Sequence, residues 1–220
     1  MINKKLFVCA LFATLGGFGQ AQAGVVYNSW ATNEGLTGNY KLTVTDVGSL
    51  FNWNLTIDPW NAEALGLFVD LGTATIGAPG TVALTNVNPL GQVSVFATDT
   101  ASDTCGTGCN LNGLGLPALV GGDWELVFRL GDAGFDGIQT FSWTTSDFGL
   151  AESDFGLVGV RAQQLCPAGT TLPSSRCTGS DKAFGTPGGG GGQNEIPEPA
   201  SLALVGLALV GAAVSRRRAV

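Results

Sequence analysis

The chain has 220 residues, of which 34 are glycine and 9 are proline, about a fifth of the total, so it is the length of one turn-rich domain. It contains no histidine, which excludes Ser-His-Asp and Cys-His nucleophilic centres, histidine-ligated zinc and a histidine general base. Hydrophobic residues make up 45% and charged residues 12%, with a formal net charge of -7, so the chain can build a core and disorder throughout is excluded.

In chain order the first element is an address. Lys4 and Lys5 precede the apolar stretch Leu6 to Leu15, and small residues lead to Ala21-Gln22-Ala23, the small-x-small form that a signal peptidase reads. Residues 1–23 are therefore expected to be a cleaved signal peptide, with the secreted form beginning at Gly24. Gly16, Gly17 and Gly19 interrupt a run already short of the ~20 residues that a spanning helix needs.

From Tyr40 onward apolar residues recur at period two. Tyr40, Leu42 and Val44 alternate with Lys41, Thr43 and Thr45, and Phe51, Trp53, Leu55 and Ile57 alternate with Asn52, Asn54 and Thr56. Asp46-Val47-Gly48-Ser49 closes a hairpin between these two strands. Trp124, Leu126, Phe128 and Leu130 interleave with Glu125, Val127 and Arg129, and shorter strands are expected at 64–71, 92–97, 138–143 and 155–161. No stretch keeps a helical stripe for three turns. Residues 24–165 are thus expected to form an all-β domain, an antiparallel β-sandwich of jelly-roll-like form, with a single jelly-roll-like barrel as the alternative of equal periodicity.

Cys105, Cys109, Cys166 and Cys177 follow the signal, and an even set in an oxidising compartment reads as disulfides. Gly106 and Gly108 permit a tight loop between the first two, and the second two bracket a proline-containing loop, so local pairing is the simplest of three connectivities. A four-cysteine zinc site is the alternative, although the spacing lacks C-x-x-C knuckles.

Other chemistry is sparse. Counted from Asp132, the turn Gly131 to Gly137 has Gly134 at the third position and Trp143 at the twelfth, where an EF-hand needs Asp or Asn and Glu. A different calcium site would draw on Asp132, Asp136 and Asp123, but acidic glycine-rich segments between strands read first as turns. Glycoside hydrolysis would need Glu125 or Asp136 with a second carboxylate about 5 to 9.5 Å away. No catalytic residue, metal site or cofactor is expected. Of the aromatic residues, Trp53, Trp124 and Trp143 have the spacing of core positions, leaving Trp60, Trp30 and Tyr27 as candidate contacts for a sugar ligand, with Trp60 after the turn-like Asp58-Pro59; packing in the core is the alternative for these too and reads first.

After Cys166 the alternation lapses, and residues 166–195 read as a cysteine-bearing loop and a flexible linker through Gly188 to Gly192. Residues 196–220 then contain three parts in a fixed order: Pro197-Glu198-Pro199, an almost wholly apolar run from Leu202 to Val214, and Arg216-Arg217-Arg218. The 15 residues from Ala200 to Val214 span about 22 Å as a helix, against a hydrocarbon core of about 30 Å. The arginines hold the C-terminus on the cytoplasmic side, so a chain threaded outward pauses with its body outside and the proline motif near the outer interface.

This tail resembles the PEP-CTERM sorting signal of exported bacterial proteins. The resemblance implies processing by an exosortase, transient inner-membrane insertion through the hydrophobic helix, and final residence at the cell surface or outside the cell. A permanent C-terminal anchor is the alternative. Phe155 to Gln164, followed by Ser180-Asp181-Lys182, resembles the closing strand and tail of many PEP-CTERM precursors, which implies a shared β domain without known catalysis. The expected partners are signal peptidase and exosortase during export and exopolysaccharide afterwards. From Gly24 to Glu198, 17 acidic residues face Lys41, Arg129, Arg161, Arg176 and Lys182, a balance of -12 that opposes nucleic acid. The expected function is that of a non-enzymatic surface or extracellular-matrix protein, with a secreted carbohydrate-binding module or carbohydrate-active enzyme as the competing class.

Overall fold

The computed structural model describes residues 24–132 and 134–188. The expected signal peptide, the residues from 189 onward, and with them the sorting motif, the apolar run and the arginines, lie outside the described residues. Among the described residues eleven strands form two antiparallel sheets: β1 (Gly24–Tyr27), β2 (Trp30–Thr32), β3 (Tyr40–Asp46), β4 (Leu50–Ile57), β5 (Glu63–Val69), β6 (Thr85–Asn88), β7 (Val93–Thr100), β8 (Trp124–Leu130), β9 (Thr140–Ser146), β10 (Val158–Leu165) and β11 (Gly179–Gly185). The five-stranded sheet runs β1-β3-β4-β9-β6 and the six-stranded sheet β2-β11-β10-β5-β8-β7.

The predicted hairpin forms with Asp46 opposite Phe51, Val47 N–H donating to the Leu50 carbonyl at 2.8 Å, and Gly48 at φ 71°, where a Cβ would be strained. Along β3 and β4 the alternation is as read: Tyr40, Leu42, Val44, Phe51, Trp53, Leu55 and Ile57 are buried. They face the six-stranded sheet across one apolar core. Trp53 stacks on its cross-strand partner Trp143 with ring centroids 5.7 Å apart, and Phe128 of the opposite sheet packs 5.5 Å from Trp53 and 5.0 Å from Trp143. Each such aromatic pair adds roughly 0.5–1.5 kcal/mol beyond its buried area.

The six-stranded sheet departs from the reading. β5 and most of β8 are buried on both faces, including Glu125 and Val127, which alternation alone places on a polar face. Residues 103–116 lie across the outer face and bury Cys105, Cys109, Leu111 and Leu114 against Leu65, Phe68, Trp124, Val127 and Leu157. Trp124 therefore belongs to this second core, with its indole N–H donating to Asp103 at 2.9 Å. The sheet also continues past residue 165. β11 stands in the stretch expected to be loop and linker, paired along its length with β10 and at its far edge with β2.

Candidate functional site

The buried carboxylates hold loops. Asp181, on β11, accepts hydrogen bonds from Gly38 N–H (2.8 Å), Tyr40 Oη (2.8 Å), Thr37 Oγ1 (2.9 Å) and Thr32 Oγ1 (3.1 Å), which fixes the segment between β2 and β3. Burial, then the neighbouring Asp181 charge, pushes the Tyr40 phenol well above its ordinary value, so it stays a donor. Asp70 accepts Val120 N–H at 3.0 Å and Gly72 N–H at 2.8 Å, and Glu125 accepts Leu71 N–H. Desolvation pushes the Glu125 carboxyl up to about 7.

The acidic glycine-rich turn is built in the same way. Asp136 accepts Ile138 N–H at 2.9 Å and Asp132 N–H at 3.1 Å, and its own N–H donates to the buried Glu63 carboxylate at 2.7 Å. Gly131, at φ 59°, sits so close to the Asp136 carboxylate that a Cβ would collide with it. Asp132 accepts Gln92 Nε2 at 3.3 Å. Among the described residues no group of three Cys, Asp or Glu side chains is arranged to hold a metal ion, so Asp132, Asp136 and Asp123 are not gathered.

The four cysteines are joined as Cys105–Cys109 and Cys166–Cys177. The first pair is buried on the inner side of the 103–116 segment, directly over Gly66 of β5. The second ties off a surface loop whose Leu172 packs with both cysteines against the half-buried Trp60. Leu172 N–H donates to the Trp60 carbonyl and Cys166 N–H to the Asn61 carbonyl, both at 2.8 Å, so loop and tryptophan form one unit.

The aromatic residues expected to meet a ligand separate here. Tyr27 is buried and donates to the Gly156 carbonyl at 3.0 Å. Trp30 is engaged internally: its indole N–H donates to the Tyr40 carbonyl at 2.7 Å and its ring meets the Tyr40 ring edge-on at 5.5 Å. Trp60 is half-buried, and Phe135 stacks on it with centroids 5.7 Å apart and planes at 26°. Phe135 is 48% exposed at the tip of the acidic turn. The turn is anchored from below, where Gln163 Nε2 bridges the Glu63 carboxylate at 3.0 Å and the Gly134 carbonyl.

Phe135 also forms one wall of a groove of about 360 Å³ whose other lining residues are Gln164, Pro173, Ser174 and Ser175. Gln164 occupies the β-bulge that ends the regular part of β10, at φ 52°. The sequence reading reached Trp60 but not Phe135, whose signal was a large apolar residue placed in a turn otherwise made of glycine and aspartate. It also missed Gln164, because a bulge leaves no mark in the alternation.

No curated protein and no solved structure matches the chain. Residues 195–218 match the model of the PEP-CTERM protein-sorting motif. The match covers the Pro-Glu-Pro triplet, the apolar run and the three arginines, and it implies recognition by an exosortase during export and membrane transit. The chain thus carries a PEP-CTERM protein-sorting motif.

Proposed function

We propose that this is a non-enzymatic protein of the cell surface or extracellular matrix, sorted and processed by an exosortase, whose acidic β domain associates with exopolysaccharide once released. The sorting motif at residues 195–218 carries the reading. A glycine-rich stretch joins it to a domain bearing two disulfides, which suits an oxidising compartment outside the cytoplasm. In the proposed sequence of events a signal peptidase removes residues 1–23, the short apolar run parks the chain in the inner membrane, and Arg216, Arg217 and Arg218 keep it there until the tail is processed at or near Pro197-Glu198-Pro199. Glu125 is fully buried and both Asp136 carboxylate oxygens accept turn N–H groups, so these two carboxylates are engaged in holding the fold, which supports the non-enzymatic reading.

The test compares wild type with Glu198→Ala in the producing cell by fractionation and intact mass. The variant is expected to remain in the membrane as a heavier precursor; unchanged release would overturn the sorting reading. Hydrolysis of a glycan by the purified protein would overturn the non-enzymatic one. The exposed Phe135, stacked on the half-buried Trp60, favours, as a second reading, a carbohydrate-binding module.

A further inference from the structure

We infer that the groove between the acidic turn and the Cys166–Cys177 loop is a subsite for one or two rings of an uncharged glycan, with Phe135 as its platform. The inference rests on the binding reading above and is independent of how the tail is processed. An exposed phenylalanine on a flexible turn would collapse onto the nearest apolar surface. Here the turn is held from beneath by the Glu63 carboxylate and the Gln163 amide, and Trp60 backs the ring, so Phe135 stays out in solvent as a fixed surface.

The rest of the lining matches the same ligand class. A pyranose has apolar C–H faces and an equatorial rim of hydroxyls. The Phe135 ring and the Pro173 face offer apolar contact, while Ser174, Ser175 and the Gln164 amide offer donors and acceptors. None of the five lining residues is charged, although the body around them is strongly acidic, which disfavours a polyanion. The disulfide fixes the loop that carries Pro173, Ser174 and Ser175, so little ordering remains to be done on binding. At about 360 Å³ the groove lies at the low end of small-molecule sites, room for one or two rings and not for a long segment. A small open groove of this kind predicts weak binding at each site, which becomes useful when many sites meet one polymer.

The full chain, kept in detergent where its tail is retained, is titrated with neutral hexasaccharides of glucose, galactose, mannose and xylose, with oligogalacturonate, and with a nine-residue proline peptide. Tryptophan emission and ligand saturation-transfer NMR report binding. At least one neutral hexasaccharide is expected to bind. Phe135→Ala should weaken it about tenfold or more, Phe135→Tyr should retain it, and Gln164→Asn, which tolerates the positive φ, should weaken it severalfold with an unchanged Tm. Phe96→Ala, removing an exposed aromatic on β7, should leave binding unaltered. Absence of binding by every neutral sugar, binding that survives Phe135→Ala, or a response only to oligogalacturonate or the proline peptide would overturn the inference. None of these outcomes bears on release of the Glu198→Ala precursor.

Discussion

The two sheets solve the same problem differently. The five-stranded sheet turns one face to the core and leaves Lys41, Asn52 and Asn54 in solvent, whereas the central strands of the six-stranded sheet are covered on both sides. The buried carboxylates follow that division. Glu63, Asp70, Glu125 and Asp181 all lie on, or directly after, strands of the six-stranded sheet. A loop laid over a sheet brings backbone N–H groups that water can no longer satisfy, and a carboxylate beneath is the strongest acceptor available for them. Much of the acidity of this domain is therefore used internally, in holding loops down.

If that division is right, removing an internal carboxylate should cost far more than removing a charge from the open face. Asp181→Ala leaves Gly38 N–H and the Tyr40, Thr37 and Thr32 hydroxyls without their acceptor and is expected to lose about 3–5 kcal/mol in urea unfolding. Lys41→Ala, at an exposed position of β3, should change stability by no more than about 0.5 kcal/mol. Equal losses at the two positions would erase the contrast.

The double cover also restricts side-chain volume. Gly66 lies beneath the Cys105–Cys109 pair, and a methyl group there would run into both sulfurs. Gly66→Ala is expected to destabilise by about 2 kcal/mol, as overpacking does. Combining it with Cys105→Ala and Cys109→Ala should remove most of the added penalty, because the obstacle itself is gone. A penalty that persists in the triple variant would place the clash elsewhere.

The same division explains what could be read from sequence. β3 and β4 were legible because one polar face makes period two visible, and so was their hairpin. β11 was invisible as a strand of the core because its pattern is inverted: Asp181, Ala183 and Gly185 are buried, while Ser180, Lys182 and the half-buried Phe184 alternate with them. β1, β2 and β6 have only three or four residues each, too few to establish a period. In the candidate site Trp60 was legible as an aromatic beside a turn, and local cysteine pairing followed from loop length. Phe135 and Gln164 come together only through the stack on Trp60 and the bulge in β10, contacts between segments far apart in sequence.

The smallest expected effect concerns pH and a fully buried carboxylate, Glu125. Glu125 is buried, its Oε2 accepts Leu71 N–H, and its Oε1 has no partner among the described residues. Burial raises its folded-state value to about 7, above the ordinary 4.5, with lesser contributions from the Asp70 and Asp123 charges. A raised carboxyl binds its proton more tightly in the folded state, so the associated stability is full below about pH 4.5 and is lost as pH rises through about 7. Glu63 and Glu152 are raised as well, chiefly by burial, and act in the same direction. Repulsion within a body this acidic adds to the trend as more carboxylates ionise. Wild-type Tm is therefore expected to fall by a few degrees between pH 5 and pH 8, since about 1 kcal/mol corresponds to roughly 2–4 °C in a domain of this size. Glu125→Gln keeps an acceptor for Leu71 N–H but cannot ionise, so its Tm should fall less over the same interval and should exceed that of wild type at pH 8. A Glu125→Gln profile parallel to wild type would show that this carboxyl does not titrate across the window, and that the cover over the six-stranded sheet does not exclude water from it.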